Sequence, residues 1–475
     1  MSTPHGWVGL LPPSFDPDHI ERAVVPYLSS SEYVGERPAL PMIDLALSKE
    51  NAAPPHFWGM LYDGWAPDPK EGTTVFITGY DQRGPDNQRK KIYASATTPD
   101  LCAAKYAPKV NGFLARLFSE TNAGKPLMHE YYQNYFDLYW DLHLGVTGEA
   151  IPLEVRTIGT SFTAVLGHWY PTEDIVRENI MRVRELRPRL KKWIDRRVQA
   201  VIDGDVQDPE GTFVHYWLKN GQGGEHFRRE DIVFECFHNF LAFSQWGNML
   251  YHTMALLDAG HGDPSVRSWF ERTMTNSPDT ADGGAFTPLD RYVMELFRTV
   301  SPNEGSLSTV STERGANPRL GNVLTLHPSS SRDPRQWINP EEFDPDRYRA
   351  APTSADDAET RSRQAGLARC PFPPAPFTVM DGRRAEVTNS AFGAVYAVVD
   401  GTAYPVCDTA GYAPFGFGYR RCGGEQLTTE FVKECLRTVW SRGIEFTMLD
   451  LEHPEKLPVS PRTVIDDNIG FRQGR

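Results

Sequence analysis

Apolar residues along this chain recur mainly every three to four positions, the period of a helix with one buried face. From Arg89 to about Asp203 the pattern is helical. The stretches "DLCAAKYAPKVNGFLARLFSE" and "IVRENIMRVRELRPRLKKWIDRRVQAVID" keep apolar residues at that spacing with charges between them. The same period predicts helices over 231–258 and 287–300, and a last helix from about Glu425 to Trp440. Strand signals lie at the flanks. Thr73–Ile77 and Val323–Leu326 are short apolar runs near turn residues,. "AVYAVVDGTAYPV" reads as a hairpin whose turn is Asp400-Gly401,. Residues 1–85 are Pro-rich and irregular, 301–345 are rich in Pro, Ser and Asn, and 350–375 form a polar, exposed tract,. There is no internal repeat and no clear linker. Helices in the middle and strand-like pieces at the flanks predict a mainly α chain with small β-sheets, an α+β class, folded as one domain over 1–475.

Composition narrows the function. A chain of 475 residues allows roughly two to four average domains or one large enzyme domain. Apolar residues at 40% and charged residues at 23% are globular proportions,. A net charge of −13 argues against nucleic acid as a partner, because phosphate binding needs a basic face,. No stretch reaches 18 apolar residues, so no membrane-spanning helix is expected,. The beginning of the chain has no basic end followed by an apolar run, so a cytoplasmic protein is expected,. Six cysteines (Cys102, Cys236, Cys370, Cys407, Cys422 and Cys435) are too scattered for a disulfide framework and point to a reducing compartment,. Each is by default a small buried hydrophobe.

Cys422 departs from that default. In "PFGFGYRRCGGEQLTTEFVKECL" the residues Phe415, Gly418, Arg420, Cys422 and Gly424 stand as F-x-x-G-x-R-x-C-x-G before an amphipathic helix. A Gly-rich loop thus presents one thiol at a helix N-terminus beside Arg420 and Arg421, surroundings that favour the thiolate. The glycines let backbone approach a flat ligand and let amides donate to the sulfur. Arg420 is suited to a carboxylate on that ligand. A lone thiolate on haem iron pushes electron density toward O–O cleavage.

On these five positions the loop resembles that of the cytochrome P-450 superfamily, the haem-thiolate monooxygenases. The resemblance implies a cytochrome P-450 fold, with haem b (iron protoporphyrin IX) held between a distal I-type helix and the proximal cysteine-loop helix. It makes Cys422 the axial iron ligand and Arg420 a propionate partner. Two further motifs follow the family's order. "DRYVMELFRTVSP" carries Glu295 and Arg298 as E-x-x-R, a spacing that puts both on one helix face,. "NPEEFDPDRY" resembles the family's meander, in which Arg347 completes a charge cluster with them. Arg314 in "STERGANP" matches the position of another propionate-binding Arg. In "DNQRKKIYASATTPDL" the family's aromatic-or-His, three residues, then Arg reads as Asp86 and Lys90. Lys90 therefore takes the place of a propionate-binding Arg.

Two departures stand out. The oxygen-activating helix is expected in "DIVFECFHNFLAFSQWGNMLYHTMALL", Asp231 to Leu257. Most family members carry an acid followed by Thr there, a pair that delivers protons to dioxygen. Here the place reads Ala242-Phe243-Ser244-Gln245-Trp246-Gly247-Asn248. In its stead a polar stripe of His238, Gln245, Asn248 and His252 shares one face, with Ser244 and Asn248 paired at i, i+4,. Either the stripe lines a pocket for an oxygen-rich substrate, or its amides are satisfied core groups bridging neighbouring helices. Ser244, Gln245 and Asn248 are the candidate catalytic residues. The helix is also similar to that of the plant allene oxide synthase branch, through Glu235, His238-Asn239, Phe243, Trp246-Gly247 and Met249, although that branch has an altered cysteine loop. The second departure is length: 67 residues separate Arg347 from Phe415, an insertion at about 350–412. It either reshapes the donor-docking side, makes a subunit contact, or is a tolerated surface excursion.

Three functions follow from these features. The first is a monooxygenase acting on a small organic or lipid-like substrate, of the kind used in secondary metabolism, with electrons from a separate ferredoxin and ferredoxin reductase. The second is a haem-thiolate enzyme using peroxide, or isomerising or dehydrating a hydroperoxide as allene oxide synthase does. The third, remote, is a non-catalytic haem sensor.

Overall fold

The structure is a computed structural model that describes residues 92–93, 96–156, 174–225, 227–238, 240–283, 286–301, 305–311, 320–326, 332, 339–349, 376–378, 384–389, 395–399, 402–405, 414–415, 424–460 and 463–474. They fall into two compact units, one drawn from Trp58–Asp263 and Glu430–Arg475 and the other from Pro264–Thr429.

The first unit is built on helices. A π-helical turn, Cys102–Tyr106, leads into α1 (Ala107–Leu117), with Pro108 in its first turn where no intrahelical N–H is needed,. Helix α2 (Leu127–Leu144) begins under Asp467, whose carboxylate accepts from the main-chain N–H of Met128 (3.2 Å) and His129 (2.7 Å). It ends at Gly145, left-handed at φ 64°, whose N–H and that of Val146 close onto the last carbonyls,. Helices α3 (Asp174–Asp203), α4 (Phe213–Asn220), α5 (Arg229–His238) and α6 (Phe240–Leu257) follow. The helix expected over 231–258 is found on both sides of position 239, which lies outside the described residues.

The second unit contains α7 (Pro264–Thr275) and α8 (Pro288–Thr299). Thr287 and Asp290 form a capping box at the start of α8: the Asp290 N–H donates to Thr287 Oγ1 (3.1 Å) and the Thr287 N–H to Asp290 Oδ2 (3.0 Å),. Strands β1 (Gly305–Ser311) and β2 (Leu320–Leu326) pair antiparallel and include the predicted Val323–Leu326. Strands β3 (Pro376–Thr378), β4 (Arg384–Asn389), β5 (Val395–Val399) and β6 (Thr402–Pro405) make a four-stranded antiparallel sheet inside the insertion. Val399 pairs with Thr402, the register expected of the predicted hairpin. Helix α9 (Glu425–Ser441) matches its predicted bounds within a residue. In the first unit, antiparallel pairs join β7 (Ile444–Met448) to β10 (Ile469–Gln473) and β8 (Lys456–Ser460) to β9 (Thr463–Asp466). The class is mainly α with small antiparallel sheets, as the sequence predicts. The predicted strand at Thr73–Ile77, the polar tract 350–375 and the turn Asp400-Gly401 lie outside the described residues.

Within the first unit the core between α1, α2 and α6 is aromatic. Tyr131, Tyr132, Tyr135, Phe136, Tyr139 and Trp140 of α2 are all buried. Gly247 lets α6 lie against them: a Cβ there would stand 2.7 Å from Tyr132 Cζ and 3.0 Å from Tyr131 Cε1. Beside it in the same turn, Trp246 stacks on Phe431 of α9 at 4.3 Å and 16°. Asp258, just past the end of α6, accepts from the N–H of Met448 (2.8 Å) and thereby joins the helix to β7. No described helix is long and apolar enough to cross a membrane.

Candidate haem-thiolate site

Helix α8 holds Glu295 and Arg298 on one face because the two are three residues apart. Arg298 donates Nε to Glu295 Oε2 and Nη2 to Oε1, both at 2.8 Å, a bidentate pair with both side chains fully buried,. The meander closes over this pair. Arg347 Nε reaches Glu295 Oε1 at 3.1 Å, completing the predicted cluster. Two donors that sequence reasoning missed complete the shell: the Tyr348 hydroxyl on Oε2 (3.1 Å) and the Asp344 N–H on Oε1 (2.9 Å). Burial pushes the Tyr348 phenol well above its ordinary range, so it remains a donor,. The arginines also hold main chain: Arg298 donates to the carbonyls of Pro340 (2.7 Å) and Glu342 (2.9 Å), and Arg347 to that of Glu342 (2.9 Å). The meander backbone is thus clamped to α8 by charge-assisted bonds.

A second group flanks the first. Arg291 makes a bidentate pair with Asp282 (2.6 and 3.0 Å), and Arg349 donates to the same carboxylate (2.6 Å). The bond from Arg291 and then that from Arg349 hold the Asp282 carboxyl well below the usual range.

The cysteine loop is described at its two ends. Phe415 is buried and meets Phe297 of α8 edge-on, at 5.1 Å and 86°. Helix α8 therefore presents one face to the meander and another to the start of the loop. At the other end, the Gly424 carbonyl accepts from the Thr428 N–H and hydroxyl, both at 2.9 Å, so the first turn of α9 opens at Gly424. Gly424 has no side chain to cap that turn. The first N–H groups of a helix have no partner within the helix itself, and Cys422 precedes this one by three residues in sequence. This donor set fits a thiolate ligand and, with it, a haem. Cys422, Arg420, Gly418, Arg314 and Lys90 themselves lie outside the described residues. Cys102, Cys236 and Cys435 are buried, and burial raises all three thiols, Cys435 to about 12. They are the inert cysteines the sequence predicted, whereas Cys370 and Cys407 lie outside the described residues.

Of the polar stripe, His238 is the last described residue before position 239, and Ser244, Gln245, Asn248 and His252 lie on α6. At roughly 100° per residue, Gln245, Asn248 and His252 span about 60° of the helix, opposite Leu250 and Met254. That places them away from the face packed on α2. Gln245 and His252 are half-buried, and His252 meets the Tyr251 ring at 5.4 Å. Asn248 is buried, and among the described residues its Oδ1 has no hydrogen-bond partner. An unmet buried acceptor costs about 1–3 kcal/mol.

No protein-family model matches the chain, and no curated protein matches its sequence. Solved structures do resemble it. A zebrafish cytochrome P-450 with progesterone superposes at a TM-score of 0.61 over 96% of this chain and 99% of its own, at 14% identity. The heme domain of cytochrome P450DA gives 0.58 over 94% and 95%, also at 14% identity. P450BioI in complex with an acyl carrier protein bearing hexadec-9Z-enoic acid gives 0.54 over 91% of each chain at 13% identity. At such identities what is shared is the fold, which spans nearly the whole of each chain.

Proposed function

Starting from a chain with the cytochrome P-450 fold, we propose that the protein is a haem-thiolate oxidoreductase, a monooxygenase of small organic or lipid-like molecules. One atom of dioxygen enters the substrate and the other leaves as water, with two electrons from a separate donor such as a ferredoxin and its reductase, and two protons. The observation that carries this reading is the Glu295–Arg298–Arg347 cluster, assembled on the same helix whose Phe297 buttresses the cysteine loop.

In this reading 1–475 is one catalytic domain, cytoplasmic, with an insertion at about 350–412. Cys422 is the iron ligand. Arg420, Arg314 and Lys90 neutralise the propionates of haem b, while Phe415, Gly418 and Gly424 shape the loop beneath it. When bound, the haem supplies the oxidising centre, whose thiolate ligand favours O–O cleavage. Gln245, Asn248 and Ser244 do the work of the missing acid–Thr pair by orienting substrate and water through hydrogen bonds. The unmet Asn248 acceptor supports that role.

The amide-rich stripe also favours a second reading, a haem-thiolate enzyme that takes its oxygen from a peroxide or rearranges a hydroperoxide without reductant. In the reduced protein with carbon monoxide, the band that gives the superfamily its name is expected, and Cys422→Ala is expected to abolish it. A haem-loaded wild type with no thiolate band refutes both readings. Product formed from a lipid hydroperoxide alone, with no electron donor, favours the second over the first.

A further inference from the structure

Helix α3 carries a row of cations that the fold leaves unused. From Arg189 to Arg197 the chain reads RLKKWIDRR, five cations and one acid, in a protein whose net charge is −13. Leu190, Trp193, Ile194 and Val198 turn inward and are buried. Arg189, Lys191, Lys192 and Arg196 are exposed. Arg189, Lys192 and Arg196 follow each other at spacings of three and four, so they form one line about 10 Å long on the outer face.

The acid within the run does not neutralise them. Asp195 is taken by Arg229 of α5, whose Nε donates to Oδ1 and whose Nη2 donates to the Asp195 carbonyl, both at 2.8 Å. Arg229 also donates to Gln199 at 2.7 Å, so the next polar residue on that side is engaged as well. None of the four exposed cations makes an ion pair or hydrogen bond with a described residue. Glu185 borders the line one turn earlier and pairs with none of them. Like charges three and four residues apart disfavour the helix slightly, so the row contributes nothing to the stability of α3.

We propose that this row is the docking surface for an acidic helix on a partner protein. Carboxylates at the same three-and-four spacing on a facing helix pair with Arg189, Lys192 and Arg196 in register. An anionic lipid surface is the poorer match. A helix lying on a membrane keeps an apolar face for the lipid, and the apolar face of α3 is buried within the protein. A polyanionic duplex is disfavoured by the charge of the chain as a whole. The proposal concerns the partner alone and stands or falls apart from the haem chemistry.

The test uses the full chain and a bacterial acyl carrier protein, chosen as an acidic helical probe, with binding read by fluorescence anisotropy. Binding is expected at low ionic strength and is expected to fade as salt screens it. Reversing the row with R189E, K192E and R196E is expected to weaken binding at least about tenfold. Reversing Lys125, an exposed cation of the same unit outside α3, is expected to leave it unchanged. Circular dichroism and the melting temperature of each variant verify that it is folded. No binding at low salt overturns the proposal. An equal loss on K125E also overturns it, as does wild-type protein that binds phosphatidylglycerol vesicles or duplex DNA but not the carrier protein.

Discussion

Glu295 shows how much rests on single side chains. Fully buried, it accepts from Arg298 twice, from Arg347, from Tyr348 and from the Asp344 N–H. Glu295→Gln removes the negative charge and strands two arginines, so a loss of about 3–5 kcal/mol is expected. Tyr348→Phe deletes one hydroxyl bonded to a charge and is expected to lose about 1.5–3 kcal/mol. Urea titrations of both variants check the ranking, and equal small effects would remove the cluster from its structural role. His143 supplies a pH test. It is buried against Tyr139 and Phe213, at 4.1 and 4.8 Å, and burial lowers its pKa from 6.5 to about 3. The unfolded chain therefore takes up a proton there before the folded one does. Stability is complete above about pH 6.5 and falls toward pH 3, by at most about 1.4 kcal/mol per pH unit from this group. Denaturation of wild type and His143→Phe at pH 7 and pH 5 should show a smaller pH dependence in the variant.

At the scale of elements, the sequence disclosed periods well and close approaches poorly. The helices over 287–300 and 425–440, the Val395–Pro405 hairpin and the Glu295–Arg298 pair were legible because each depends on spacing within one segment. Tyr348 and the Asp344 amide were not, because their route to Glu295 depends on how the meander folds in space. Gly247 was hidden for the same reason: within a helical pattern a glycine looks merely tolerated, yet it is where α6 meets two tyrosines. Gly247→Ala is expected to cost about 1–3 kcal/mol through overpacking, with part regained in the Tyr132→Phe background, where the nearest atom is gone. An unchanged melting temperature for the single variant would mean that the helices are not so close. At the start of α2, Asp467→Ala is expected to cost about 0.5–2 kcal/mol, the usual loss for an N-terminal cap. Cys422, the proposed iron ligand, is legible only from the spacing of the loop motif and from the helix that follows it at Glu425.

For the molecule as a whole, three thiols report on integrity. Cys102, Cys236 and Cys435 belong to the first unit, are buried, and have their thiolates suppressed by burial. All three are expected to resist a thiol reagent at pH 8 in the native protein and to become reactive together as that unit opens in urea. Early labelling of one alone would show that the unit opens in parts. The other unit has its own organising device in α8. Glu295 grips Arg347 and Phe297 grips Phe415, so one helix holds both ends of a stretch of 67 residues. A change in the length of that stretch is therefore expected to leave the charge cluster standing, because side chains of one helix hold both of its ends.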